Sequence, residues 1–223
     1  MARLPINRRQ RLLQVMDRYW GYGALRPLQR EATQSVLAGR DSVVVLPAGG
    51  GKSLCFQAPA LCLCGVTVVV SPLNSLVWDQ VDVLRKSGIR AACVNSAVPV
   101  YRQREVVAQL CGGELKLLYI SPERLITEPM LDLLETQDVA MFAIEQAHCI
   151  SSWGQDFRPE YRSLGLLKER FPMLNVHAYT ALATERVCVD IACQLKLHDP
   201  KYINGMCDSQ SQPDRCRQST RLS

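Results

Sequence analysis

Six short runs of apolar and β-branched residues recur along the chain, separated by longer stretches in which apolar and polar residues mix. The runs are 43–46, 67–71, 91–95, 115–121, 139–144 and 175–180. They are mainly apolar rather than alternating, which is typical of strands covered on both faces. The stretches between them, such as 53–62, 75–87 and 103–110, are long enough for crossover helices. The pattern predicts an α/β fold, a parallel sheet with helices on both faces.

Composition narrows the class of protein. The 223 residues are 48% hydrophobic and 21% charged, which excludes a disordered, collagen-like or coiled-coil chain. The longest apolar stretch, 58–70, is interrupted by Pro59, Gly65 and Thr67, so we expect no membrane helix. The arginine-rich N-terminus lacks the apolar block of a secretory signal. We therefore expect a cytoplasmic, nucleoid-associated protein, or a nuclear one in a eukaryote.

Charge and cysteines are distributed unevenly. Residues 1–30 hold seven arginines and one acidic residue, and this segment is either a phosphate-backbone contact or an ordinary solvated helix face. The ten cysteines include no CxxC pair, so we expect neither a zinc site nor a disulfide framework.

We predict a basic helical segment at 1–19, the α/β domain at 20–204 and a disordered polar tail at 205–223.

A glycine-rich turn, PAGGGKS at 47–53, follows the first apolar run and precedes a helical pattern. Glycines let backbone N–H groups converge on phosphates, and the start of the helix adds positive potential. In such a P-loop, Lys52 would reach the terminal phosphates of ATP and Ser53 would coordinate Mg²⁺. The strict pattern has glycine where this chain has Leu46, so a glycine-rich linker that happens to precede Lys-Ser is the alternative. The predicted phosphate-binding residues are Gly49, Gly50, Gly51, Lys52 and Ser53.

Together with this loop, several segments across about residues 10–200 resemble the RecQ family of ATP-dependent DNA helicases, which implies a RecA-like P-loop domain. Segment 20–29, WGYGALRPLQ, is similar to the family's adenine-recognition motif. The resemblance implies that Tyr22 and Arg26 hold the base between them and that the Gln29 amide hydrogen-bonds its edge. Taken alone, the segment fits an ordinary helix start with Pro27 at the first position.

Two Ser-Pro segments that follow predicted strands resemble the family's nucleic-acid motifs. They are SPLNSL at 71–76 and SPERL at 121–125. Hydroxyl and N–H groups at helix starts can hold DNA phosphates without reading bases. The resemblance therefore implies DNA contacts at Ser71, Pro72, Ser121 and Arg124, although each Ser-Pro taken alone is more often a helix cap.

The most family-specific segment is AHCISSWGQDFRPEY at 147–161, which is similar to the aromatic-rich loop by which RecQ helicases sense single-stranded DNA. In that role Trp153 and Phe157 would stack on bases and Arg158 would meet a phosphate. An isolated tryptophan at this position would more often belong to the core. The context favours contact with single-stranded DNA.

The chain departs from the family in its reactive groups. Where the family has Asp-Glu-Ala-His, this chain has Glu145-Gln146-Ala147-His148. The resemblance assigns catalysis to Lys52, Glu145, Gln146 and His148, and Mg²⁺ to Ser53 and Glu145. The extra methylene of Glu145 shifts its oxygens, and Gln146 lacks the basicity to take a proton from water. We therefore expect ATP to bind with impaired hydrolysis.

Three smaller departures accompany these two. Ala48 replaces a threonine of the family's phosphate loop, Leu182 replaces a threonine of its coupling motif at 180–182, and Gln155 replaces a histidine in the aromatic loop. The family hydrolyses ATP between two RecA-like domains, and the sequence after Pro200 leaves no length for a second one. We expect such a domain to be supplied in trans.

Two hypotheses stay open from these residues. The first is a RecQ-like N-terminal ATP-binding domain, by family a 3′–5′ DNA helicase of recombination and repair, with weak or no hydrolysis. The second is a non-enzymatic ATP- and DNA-binding regulator or a truncated helicase-like product. A small-molecule kinase is disfavoured by the aromatic loop and by the two Ser-Pro segments.

Overall fold

One sheet of seven strands organises the computed structural model, which describes residues 6–72, 75–94, 98–154 and 156–205. The strands are β1 (Ser42–Val45), β2 (Val66–Val70), β3 (Ala91–Val94), β4 (Leu117–Ile120), β5 (Val139–Ile144), β6 (Val176–Thr180) and β7 (Lys201–Asn204). Their order across the sheet is β3-β4-β2-β5-β6-β1-β7, and every adjacent pair is parallel. The predicted α/β fold with a parallel sheet is confirmed.

Helices cover both faces of this sheet. They are α1 (Ile6–Trp20), α2 (Pro27–Leu37), α3 (Leu54–Ala60), α4 (Ser75–Lys86), α5 (Val100–Cys111), α6 (Pro122–Leu125), α7 (Glu128–Glu135), α8 (Pro159–Arg162), α9 (Leu166–Arg170) and α10 (Glu185–Gln194), with 3-10 helices at Ala147–Ile150 and Ser163–Gly165. Successive strand residues point to opposite faces, so Val68 and Val69 belong to different apolar clusters. Burial on both faces explains why the strands read as continuous apolar runs. Among the described helices, none is long and apolar enough to cross a membrane.

The two ends of the described chain extend the core in different ways. In α1, Leu12 and Met16 are buried and pack against Leu37 and Ala58. The last strand, β7, is absent from the predicted runs because Ile203 is its one buried residue among Lys201–Asn204. With one buried position β7 lacks an apolar run, whereas β3, at the opposite edge of the sheet, is buried throughout and matches the predicted run at 91–95. Residues 206–223 of the predicted tail lie outside the described residues.

The amino ends of the strands are closed by a buried carboxylate, Asp41, which is 1% exposed. It accepts hydrogen bonds from Lys168 Nζ at 2.8 and 3.0 Å, from the Val176 amide at 2.9 Å and from the His198 amide at 2.8 Å. One side chain thereby joins β1, α9, β6 and the segment before β7. Apart from the adenine segment at 20–29, which lies between α1 and α2, the predicted site motifs follow carboxyl ends of strands, at the opposite edge of the sheet, where ligands bind in parallel α/β folds.

Candidate functional site

The glycine-rich turn between β1 and α3 has the geometry of a phosphate-binding loop. Gly49 and Gly51 have φ angles of +72° and +74°, a left-handed conformation that side chains disfavour. A Cβ on Gly51 would also collide with the side-chain nitrogen of Gln29. Among the described residues, no acceptor faces the amides of Gly51, Lys52 or Ser53. The loop thus combines a tight backbone with three N–H groups available to an anion.

Lys52 lies folded over this loop. Its ammonium donates hydrogen bonds to the carbonyl oxygens of Leu46 at 3.0 Å and Pro47 at 3.2 Å. Burial lowers the pKa of Lys52 from its ordinary value, and the negative charge of Glu145 opposes that shift. The lysine and the glutamate therefore share one electrostatic environment at the carboxyl edge of the sheet.

Glu145 directly follows β5, and its amide donates to the Val70 carbonyl at 2.8 Å. Burial raises the pKa of its carboxyl group, while a hydrogen bond from Ser71 and the charge of Lys52 oppose the shift. Ser71 is only 4% exposed. Its hydroxyl, predicted from the sequence to contact DNA, is thus placed against Glu145, and the half-buried Pro72 follows it.

Gln146 occupies a strained backbone position with an exposed side chain. Its φ of 51° and ψ of 38° are left-handed, a conformation that costs a non-glycine residue about 1–3 kcal/mol. Its carbonyl accepts from the Cys149 amide at 2.9 Å, which starts the 3-10 helix at Ala147–Ile150. The turn thus exposes the side chain of Gln146 directly after the half-buried Glu145.

His148 links this turn to the end of β6. Its Nδ1 lies 2.9 Å from the Thr180 hydroxyl oxygen, and burial lowers the pKa of the imidazole. The Thr180 hydroxyl also donates to the Leu182 carbonyl at 3.2 Å. The predicted coupling segment at 180–182 therefore contacts the motif after β5 through Thr180, whereas the Leu182 side chain is 61% exposed.

The predicted adenine segment leads into α2. Tyr22 is 54% exposed, and Arg26 caps the helix with Pro27 at its first position. The Gln29 amide donates to the Gly50 carbonyl at 3.0 Å and accepts from the Arg26 amide at 3.0 Å. It therefore ties α2 to the phosphate loop, and its nitrogen and oxygen can each form one more hydrogen bond.

The second Ser-Pro segment contains buried polar groups. Ser121 caps α6 and is 1% exposed, and Arg124 in the same helix is half-buried. Within the described residues, the Ser121 hydroxyl, the Arg124 Nε and the Tyr161 hydroxyl have no hydrogen-bond partner. Buried polar groups are usually satisfied, so these three are unusual for a purely structural segment.

The predicted aromatic loop is exposed. Trp153 is 61% exposed and Phe157 40%, so neither side chain belongs to the core. Arg158 is paired with Asp156 at 2.7 Å, which means that a phosphate would have to share or displace that carboxylate. Gln155 lies outside the described residues.

Sequence reasoning missed the partners of this loop on α10. The Arg186 guanidinium carbon lies 3.4 Å from the centre of the Trp153 ring, and Asp190 accepts from the Ser151 hydroxyl at 2.6 Å. The one available signal was their spacing of four residues, which places both side chains on one face of a helix.

Two curated relatives show the likeness at the level of sequence. The ATP-dependent DNA helicase RecQ of Pasteurella multocida is 44% identical over 200 residues, which cover 90% of this chain and 32% of the relative. RecQ of Haemophilus influenzae is 46% identical over 194 residues, covering 86% of this chain and 31% of the relative. The chain thus spans about a third of the length of these relatives.

Solved structures show the same fold. The helicase MrfA bound to DNA and AMPPNP superposes with a TM-score of 0.68 at 17% identity, covering 91% of this chain and 30% of MrfA. The Hef helicase domain of Pyrococcus furiosus has a TM-score of 0.60 at 16% identity, covering 79% of this chain and 37% of Hef.

The family model described as DEAD/DEAH box helicase matches residues 26–188, more than half of the chain. This chain therefore belongs to the DEAD/DEAH box helicases, and its sequence is RecQ-like over most of its length.

Proposed function

We propose that the chain is the ATP-binding part of a RecQ-type DNA helicase, that it binds ATP, Mg²⁺ and single-stranded DNA, and that hydrolysis at its own site is impaired. The observation that carries the proposal is one juxtaposition at the carboxyl edge of the sheet. A loop with available amides and a lysine lies beside the carboxylate of Glu145, and the next residue, Gln146, is an amide.

Nucleotide binding follows from the loop and its surroundings. The amides of Gly51, Lys52 and Ser53 would hold phosphate oxygens, and the ammonium of Lys52 would add a positive charge. Tyr22 and Arg26 would hold the adenine base, and Gln29 would hydrogen-bond its edge through the free capacity of its amide.

The donors for Mg²⁺ are the Ser53 hydroxyl and the Glu145 carboxylate. Both offer oxygen, which is the ligand atom that Mg²⁺ prefers. Bound there, the ion would neutralise charge on the phosphates. These residues fit the metal, although the longer side chain of Glu145 differs from the aspartate of the family.

Hydrolysis needs a group that orients or deprotonates water, and residue 146 is the position for it. A glutamine amide can hydrogen-bond a water molecule and has no useful basicity, so the step loses its general base. Such a loss typically costs about 10²–10⁴-fold in rate. The same substitution favours the second candidate function, a domain that binds ATP and DNA and acts on a helicase partner without turnover of its own.

The DNA contacts belong to the exposed aromatic loop and the segment after β4. Trp153 and Phe157 present apolar rings on which bases can stack. The Ser121 hydroxyl and the Arg124 Nε have no partner among the described residues but are buried, so a phosphate would have to open this segment to reach them. Arg158 adds a positive charge. A second RecA-like domain, supplied in trans, would complete the nucleotide cleft and the DNA track.

The experiment is an ATP titration run beside a phosphate-release assay, each with and without single-stranded DNA at two salt concentrations. We expect saturable ATP binding, salt-dependent DNA binding and little phosphate release. Lys52→Ala is the matched control and should weaken ATP binding. The proposal would be wrong if the chain failed to bind ATP, or if it released phosphate rapidly without a partner.

A further inference from the structure

A cation covers one face of the exposed tryptophan in the aromatic loop. Arg186, in the first turn of α10, places its guanidinium carbon 3.4 Å from the centre of the Trp153 ring. This is the distance of a stacked cation–π contact. Trp153 is nevertheless 61% exposed, so the opposite face of the indole stays open to solvent.

A second contact ties the backbone of the loop to the same helix. Asp190, one turn beyond Arg186, accepts a hydrogen bond from the Ser151 hydroxyl at 2.6 Å. The Ser151 oxygen in turn accepts from the Trp153 amide at 3.2 Å. Positions 186 and 190 lie on one helix face, so α10 fixes both the start of the loop and the ring at its tip.

Helix α10 is itself anchored beside the nucleotide end of the sheet. It starts five residues after Thr180, the hydroxyl of which contacts His148. Thr184 caps the helix by accepting from the Val187 amide at 3.4 Å. Helix α10, which holds Trp153, therefore closely follows the segment in which Thr180 contacts His148.

The contact with Trp153 is what orients Arg186. Among the described residues, no acceptor or carboxylate is paired with its guanidinium, and the side chain is exposed. The surface beside the stack is a shallow, open depression lined in part by Trp153, Arg186 and Val189.

We propose that Arg186 is a positioning residue for single-stranded DNA: it holds the Trp153 ring by one face so that an unpaired base stacks on the other. A ring held in place loses less conformational freedom when the base arrives, which favours binding. This inference rests on the DNA-binding part of the proposed function and adds a residue outside the motifs that carry the family resemblance.

The test measures the affinity of the full chain for a labelled oligothymidylate at several salt concentrations. Trp153→Ala should weaken binding roughly 5- to 150-fold, the typical effect of losing one stacked base. Arg186→Ala should weaken it roughly two- to fivefold, as expected for an exposed cation–π contact. Because Arg186 acts through the ring, the double variant should bind like Trp153→Ala alone, and the salt dependence of Arg186→Ala should match that of the parent chain.

A spectroscopic readout separates positioning from a general structural role. In a Trp20→Phe/Trp78→Phe background, Trp153 is the one tryptophan of the chain. Arg186→Ala should raise the quenching of its fluorescence by acrylamide, and Arg186→Lys should restore most of both the protection and the affinity. Arg104→Ala, which removes an exposed charge on α5, is the matched control and should change neither quantity.

Two results would overturn this inference and leave the proposed function intact. In the first, Trp153→Ala weakens binding while Arg186→Ala binds as well as the parent or better. In the second, the losses add and the salt slope falls by about 0.7, as expected if Arg186 itself contacts a phosphate. If Trp153→Ala leaves DNA binding unchanged, the aromatic-loop part of the proposed function fails, and the inference fails with it.

Discussion

Polar groups at the two edges of the sheet have different surroundings. At the amino ends of the strands, the buried Asp41 is surrounded by the Lys168 ammonium and two backbone amides. At the carboxyl ends, Gln146 is in a left-handed conformation and the Ser121 hydroxyl is buried without a partner among the described residues. Satisfied groups stabilise a fold, whereas strained and unpaired groups cost stability and gather at sites of function. We call the first the structural edge and the second the functional edge, although the amino ends also include His177, whose Nε2 has no partner among the described residues, and Asp199, with a φ of 41°.

The largest expected effect lies at the functional edge. Changing Glu145→Asp and Gln146→Glu, with a second RecA-like domain supplied in trans, should raise ATP turnover about 10²–10⁴-fold because a general base is restored. Steady-state phosphate release measures it. Glu145→Asp alone is the control and should give little turnover, while an unchanged rate in the double variant would show that the missing base is not the limiting defect.

The next effect lies at the structural edge. Asp41→Asn would leave the Lys168 ammonium, 4% exposed, buried without its counter-charge. Breaking one partner of such a pair costs about 3–5 kcal/mol of unfolding free energy. Denaturant unfolding measures the loss. The control is Asp199→Asn, which breaks an ion pair with Arg40. Because the Asp199 side chain is 88% exposed, this change should cost under about 1 kcal/mol of unfolding free energy. Equal losses in the two variants would contradict the assignment.

A pH dependence of stability should arise from the same edge. Burial lowers the pKa of His177 to about 4 from an ordinary 6.5. The unfolded chain therefore binds more protons between these values, so this contribution is complete above pH 6.5 and is lost as pH falls towards 4. It amounts to about 3 kcal/mol. His177→Gln should flatten stability against pH in this window. Parallel curves for His177→Gln and the parent would contradict this account.

The smallest expected effect is a substitution that raises stability and weakens DNA binding. Ser121→Ala removes a buried hydroxyl that has no partner within the described residues, so it should raise the unfolding free energy by about 1 kcal/mol. It should also weaken single-stranded DNA binding, because the proposed function places a DNA phosphate at that hydroxyl. Unfolding and DNA titrations of the same variant measure both. A loss of stability would show that the hydroxyl has a structural partner.

Sequence patterns predicted the functional edge better than the structural one. The glycine-rich loop is contiguous, so the run into Gly49 and Lys52 indicated its tight conformation, while its binding of phosphates stays a prediction. Asp41 gave no such signal because Lys168 and His198 lie 127 and 157 residues away in the chain. The stack of Arg186 on Trp153 likewise joins segments that meet only after β6 and α10 have folded. Contacts between distant residues depend on tertiary packing, which local patterns do not encode.

The central claim is that this chain captures ATP and does not turn it over. A single-turnover experiment tests it most directly: the chain is mixed with radiolabelled ATP, Mg²⁺ and single-stranded DNA, and bound nucleotide and released phosphate are followed together. The account predicts that the bound nucleotide remains ATP over many minutes. Rapid conversion of the bound ATP to ADP and phosphate would contradict it.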